Sequence, residues 1–283
     1  MSKVKIIADS TCDLSKELLE KYDITVVPLC VVMGDKSLYD GLEVTPDEIY
    51  TWADANKTTP KTAALSFDKT LEIVRPFMDE KRDIIFIGLS GQMSTTCNIA
   101  RLIAEQEEYD RLFVIDSQNL STGIGLQVIK AAIMAENGSS AEEIVATIEE
   151  ARPRVRASFV VDTLTYLSRG GRCTSATALL ASAFKLHPMI AVQDGAMGVS
   201  KKFRGRMPVA LTNYVNELKP ALINAEPERV FITHSGCDEE TIKMVYDMVA
   251  DLKYFDEILI TRAGGVISSH CGPGTLGVLF YEK

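Results

Sequence analysis

Apolar and polar positions alternate along this chain in two periods, and the two periods take turns. "KVKIIA" at residues 3–8 reads as a strand, and "DLSKELLEKY" after it reads as a helix opened by Asp13 or Ser15 at its N-cap. "ITVVPLCVV" is extended again, and "TPDEIYTWADA" is helical, with Thr45 as cap and Pro46 at the first helical position. "FDKTLEIVRPFMDE" predicts a helix despite Pro76, "DIIFIGL" a buried strand, and "STTCNIARLIAEQ" a helix. "RLFVID" is a strand, "GLQVIKAAIMAENG" a helix stopping at Asn137-Gly138, and "SAEEIVATIEEARPRV" another helix. Strand–helix alternation of this kind predicts an α/β fold, here a mostly parallel sheet with helices on both faces.

After Arg156 the pattern changes. "ASFVVDTLTYLSRGGR" is extended and then broken by glycines, and "ATALLASAF" predicts a helix of small residues. "MIAVQDGAMGVSKKFRG" reads as two strands around an Asp194-Gly195 turn. Helices ("VALTNYVNELKPALI", "EETIKMVYDMVADL") and strands ("RVFITHS", "EILITRA", "LGVLFYEK") follow. A hairpin inside an α/β pattern predicts a mixed sheet. The expected organisation is therefore two domains, residues 1–154 and residues 155–283, with a ligand pocket between or beside them.

The 283 residues are enough for two domains, and 46% hydrophobic with 24% charged residues is ordinary for a globular chain. A net charge of −9 argues against nucleic acid as the partner. No run approaches eighteen uncharged apolar residues, so no membrane span is expected. The start, "MSKVKIIADS", does not resemble a signal peptide, and six scattered cysteines form no CxxC pair. These features point to reduced thiols, a cytoplasmic protein, and neither disulfides nor a metal site.

Candidate chemistry lies in loops. "DSTCDLS" follows the first strand at the edge where open α/β sheets place ligands, and it also reads as an Asx-turn with a helix cap. "GLSGQMSTT" ends a strand and opens a helix, with hydroxyls at Ser90, Ser94, Thr95 and Thr96. Free N–H groups there suit a small anion or carboxylate, or serve as capping alone. No Walker loop, GxGxxG or G-x-S-x-G elbow occurs, so nucleotide binding or an elbow nucleophile has no motif behind it. "SRGGRC" and "KKFRGRM" are basic loops, either solvated or a patch for an anionic partner. Of three histidines, His187 precedes a proline and reads as structural, while His234 suits a cap or a site. His270 sits in "SSHCGPG" as an idle turn residue or a donor to a ligand.

Several motifs in order resemble the DegV family of bacterial lipid-binding proteins. They are "IIADSTCDLS", "ITVVPLCVV", "STTCNIA", "DTLTYLSRGGR", "FRGR" and "SSHCGPGTLGV", spread over nearly the whole chain. The resemblance implies a non-catalytic carrier that encloses one long-chain fatty acid, such as palmitate, stearate or oleate, and needs no cofactor. Carried over by position, Thr62, Ser94 and His270 are the head-group residues, with Ser90 and Thr95 beside them. In the resembling systems a separate fatty acid kinase phosphorylates the presented carboxylate to an acyl phosphate. Arg172 and Arg204 would then meet that partner or the phosphoryl group. This chain departs from the family at "TAAL", Thr62 to Leu65, where Thr-Ser-Gln-Pro is usual. It also has Ser90-Gly91 in place of Ser-Ser, and Ser94-Thr95-Thr96 in place of Ser-Gly-Thr. Two other readings compete: an acyl or carboxylate hydrolase using Ser94 and His270, and a lipid-sensing regulatory module.

Overall fold

The computed structural model describes residues 3–179 and 186–283. Strand β1 (Val4–Asp9) leads through helix α1 (Lys16–Lys21) to β2 (Thr25–Val27). Ser15 is the cap of α1, its hydroxyl accepting from the Leu18 N–H. Asp13 instead sits at positive φ with a buried carboxylate. The extended run predicted across residues 24–32 divides at Pro28. Val27 ends β2, and Cys30 opens β3 (Cys30–Met33) in a different sheet. Proline has no N–H to give a ladder, so the chain changes sheets there.

Strands β3, β4 (Lys36–Tyr39) and β5 (Lys61–Ala63) form a small antiparallel sheet in the order β4-β3-β5. Helix α2 (Pro46–Asn56) intervenes and starts as its sequence predicts, with a complete capping box between Thr45 and Glu48. Next come α3 (Phe67–Asp79), β6 (Asp83–Gly88), α4 (Thr96–Gln106), β7 (Leu112–Asp116), α5 (Thr122–Glu136) and α6 (Ala141–Ala151). The four-stranded sheet β2-β1-β6-β7 is parallel throughout. Ile7, Ile84 and Phe86 face a core with Val74, Met78 and Ile103. Their neighbours Ile6, Ala8, Ile85 and Ile87 face a second core with Ile124 and Val128. Alternation sends successive side chains to opposite faces, and both are covered, which is why these strands read as unbroken apolar runs.

The rest of the chain supplies β8 (Val155–Val160), α7 (Thr165–Gly170), α8 (Thr174–Thr177), β9 (Leu186–Gln193), β10 (Ala196–Arg204) and α9 (Met207–Leu222). It continues with β11 (Ala225–His234), α10 (Glu239–Ala250), β12 (Glu257–Arg262), α11 (Gly265–Cys271) and β13 (Leu276–Glu282). Their sheet runs β10-β9-β8-β13-β11-β12 and is mixed, because only β11 and β12 pair in parallel. The expected hairpin joins β9 to β10, with Asp194 and Gly195 both at positive φ. The small-residue helix expected at 176–184 falls largely outside the described residues. The two larger sheets share α5, which packs on β1 and also on β8 and β13. That sandwiched position explains why α5 is buried nearly all round.

The segment from Gly264, read from sequence as a glycine-rich turn, holds a helix, α11. Its first N–H groups are met from far along the chain: Gly264 donates to Asp13 Oδ1 (2.8 Å) and Gly265 to Asp40 Oδ1 (2.6 Å). Capping over so long a separation leaves no local sequence mark. All six cysteines are free thiols.

Candidate functional site

A cavity of about 460 Å³ opens at the carboxyl edge of the parallel sheet, beside the loop between β6 and α4. Its walls come from Leu29, from Thr62 to Ala64, from Leu89 and residues 91–95, and from Leu120. Arg172, Met197 and four residues of α11 (Val266, Ile267, His270, Cys271) complete it. Leucine, valine, isoleucine, methionine and alanine make most of this wall. The hydroxyls of Thr62, Ser94 and Thr95, with His270 and Arg172, supply its concentrated polar chemistry. A mainly apolar cavity with a few convergent polar groups suits an amphiphile with one polar end.

Thr62 is placed by β5, in register with Val31 of β3. Its Oγ1 lies 2.8 Å from Nε2 of His270. His270 comes from the last turn of α11, so its position depends on the two carboxylates under that helix. Asp13 also accepts from Ser121 Oγ (2.5 Å), and Asp40 from Ser10 Oγ (2.8 Å). Burial pushes both carboxyls above their usual range, against the lowering effect of these hydrogen bonds. Burial pushes the His270 imidazole down to about 4, and the nearby Arg172 charge adds to the effect. At neutral pH this imidazole is therefore uncharged, and among the described residues its Nδ1 has no hydrogen-bond partner.

Ser94 and Thr95 stand at the start of α4. The Ser94 hydroxyl pairs with that of Thr96 at 2.8 Å and accepts weakly from the Thr96 N–H at 3.3 Å. Thr95 occupies the N-cap position, but its side chain makes no capping bond. Both residues line the cavity at the start of α4, where the positive end of its dipole lies. Arg172 is fixed at the cavity wall through Nη1, which donates to the Gly170 carbonyl (2.9 Å).

Thr62, Ser94, Thr95, His270 and Arg172 thus come together from separate parts of the chain. Ser90 stands outside the lining: it is buried, and its hydroxyl donates to the Gly195 carbonyl (2.7 Å), tying the β9–β10 turn to the β6–α4 loop. Arg204 ends β10 opposite Leu186 and does not line the cavity. His187 is buried between the carbonyls of Val161 and Gly205. His234 is a cap, its Nδ1 accepting from the N–H groups of Gly236 and Cys237. Sequence reading missed Asp40, Gly170 and the apolar wall residues Met93, Leu120 and Met197. None of these has a local signal, since each acquires its role by long-range packing. Asp13 reads from sequence as a possible cap for α1 and as part of the "DSTCDLS" loop at the sheet edge.

The arrangement gives little support to a hydrolase. The imidazole Nε2 is engaged by Thr62, the Ser94 hydroxyl by Thr96, and a neutral imidazole with so low a pKa is a weak base.

The sequence pattern described as "Uncharacterised protein, DegV family" matches residues 3–283. A DegV domain-containing protein of Clostridium perfringens is 38% identical over 205 residues, covering 72% of this chain and 74% of that protein. Among solved structures, a DegV family protein from Thermus thermophilus, described by its fatty acid binding, superposes with a TM-score of 0.91. It is 30% identical and covers 100% of both chains. A stearic acid-binding protein from Eubacterium ventriosum superposes with a TM-score of 0.84 at 28% identity, over 99% of this chain and 98% of its own. The chain belongs to the DegV family.

Proposed function

We propose that this chain carries one long-chain fatty acid, of the palmitate, stearate or oleate type, in the cavity between the units 1–154 and 155–283. The carboxylate lies against Thr62, Ser94 and Thr95, with His270 behind Thr62, and the acyl chain runs among Leu29, Leu89, Leu120, Met197 and Ile267. The observation that carries this reading is that three hydroxyl residues, Arg172 and an uncharged imidazole line one cavity whose remaining wall is mainly apolar. Charge-assisted hydrogen bonds at a helix start suit a carboxylate. At about 0.8 kcal/mol per buried CH₂, a chain of roughly sixteen carbons contributes on the order of 10 kcal/mol before the costs of association. Tight retention then needs no cofactor.

The carrier itself performs no turnover. It presents the carboxylate to a separate fatty acid kinase in the cytoplasm, where an acyl phosphate forms. Arg172, at the cavity wall, meets the transferred phosphoryl group, and Arg204 meets the partner. Ser90 acts indirectly, holding the loop that carries Ser94. Titration of lipid-free protein with palmitate and oleate tests the binding step, with one saturable site as the expected result. Failure to bind either acid, or hydrolysis of an acyl ester that depends on Ser94 and His270, would refute the carrier reading.

A further inference from the structure

Gly170, at the end of α7, lies against the imidazole edge of His270. A Cβ built on Gly170 would stand 2.3 Å from Nδ1, 3.2 Å from Cε1 and 3.3 Å from Cγ. The hydrogen that glycine carries in that direction therefore points at Nδ1. Among the described residues no hydrogen-bond partner satisfies this nitrogen. We propose that Gly170 is a positioning residue: its Cα–H fixes His270 as the Nε2–H tautomer, which turns the Thr62 hydroxyl into a donor aimed at the cavity.

Two tautomers are available to the neutral ring, and the contacts separate them. With the proton on Nδ1, N–H would meet C–H head on, while Thr62 would have to donate to Nε2. Its oxygen lone pairs alone would then face the ligand and repel a carboxylate. With the proton on Nε2, the Nδ1 lone pair meets the Gly170 Cα–H as a weak favourable contact. The Nε2–H then donates to Thr62 Oγ1 at 2.8 Å, and the threonine proton is free for the cavity. The Arg172 hydrogen bond to the Gly170 carbonyl holds that peptide in place. The inference rests on the fatty-acid reading for what the proton meets, but the tautomer stands on the protein contacts alone.

¹⁵N NMR of histidine-labelled, lipid-free full chain at pH 7 reads the tautomer directly. A pyrrole-like Nε2 and a pyridine-like Nδ1 are expected for His270, and the reverse assignment overturns the proposal. Gly170→Ala provides the second reading. The φ of Gly170 is not positive, so alanine is conformationally ordinary there, and the added methyl reports the contact with the ring. Palmitate binding should weaken between about tenfold and a hundredfold, the worth of one hydrogen bond to a charged group. In a His270→Ala background the same substitution should have no further effect, and independent, additive losses would overturn the coupling. Thermal melting of each variant separates a folding defect from this effect. Parent-like palmitate binding by Thr62→Ala would instead remove Thr62 from the head-group site, leaving the NMR result to decide the tautomer.

Discussion

A hydroxyl beside a carboxylate stabilises it only when the hydroxyl's own proton is free to point there. Ser94 and Thr62 each have one neighbour already, Thr96 and His270, so each acts as a link in a chain of hydrogen bonds. Thr62→Ala or Ser94→Ala should weaken fatty acid binding by about 1.5–3 kcal/mol, since each removes a donor to a charged acceptor. Burial of the acyl chain persists in both variants, so calorimetry should still detect binding. Parent-like affinity in both would place the carboxylate elsewhere. His270 gives a pH signature. Its folded pKa is lowered from an ordinary 6.5 to about 4, so below pH 6.5 the unfolded chain takes up a proton that the folded one refuses. Stability should fall as pH drops from about 6.5 towards 4, and His270→Gln should flatten that slope in urea denaturation. An NMR titration of lipid-free protein should find the midpoint near 4, and bound carboxylate should raise it. A midpoint unchanged by fatty acid would leave the imidazole without a role in the head group.

Among the elements, α11 decides the site and was the least legible from sequence. Thr45-Pro46 with Glu48 marks the start of α2, and Asp194-Gly195 marks the hairpin turn, because caps and turns are written within a few residues. The parallel sheet was also legible, through the apolar runs of β1 and β6. By contrast, "GGVISSHC" looks like a turn until Asp13 and Asp40 are seen beneath its first N–H groups. Strand β5 is only three residues long and exposed at two of them, too short to show a period, yet it sets Thr62 opposite His270. Of the candidate residues, Ser94 and His270 were legible as loop chemistry and Thr62 only through family resemblance, and their geometry not at all. Asp40→Ala tests the support of α11, because it strands the Gly265 N–H and the Ser10 hydroxyl. A loss of about 1–3 kcal/mol in urea denaturation is expected, together with weaker lipid retention. Asp40→Asn, which keeps an acceptor oxygen, should recover part of both. Equal losses from Ala and Asn would show that the negative charge, not the acceptor, supports the helix.

For the whole molecule, α5 joins the two larger sheets, and the cavity draws its walls from residues 29–120 and 172–271. Among the described residues no helix is long and apolar enough to cross a membrane. On the proposed carrier function, the acyl chain is shielded by protein until a partner acts on its carboxylate. If Arg172 and Arg204 serve that encounter, Arg172→Ala and Arg204→Ala should retain lipid but give less acyl phosphate with a fatty acid kinase and ATP. Loss of lipid without a change in coupling of the remainder would reverse the assignment. The most direct test of the central claim is quantitative mass spectrometry of acyl chains released from gently purified protein. A single-cavity carrier gives about one long-chain fatty acid per protein. Protein that is consistently free of lipid, and that also refuses added palmitate and oleate, would contradict it.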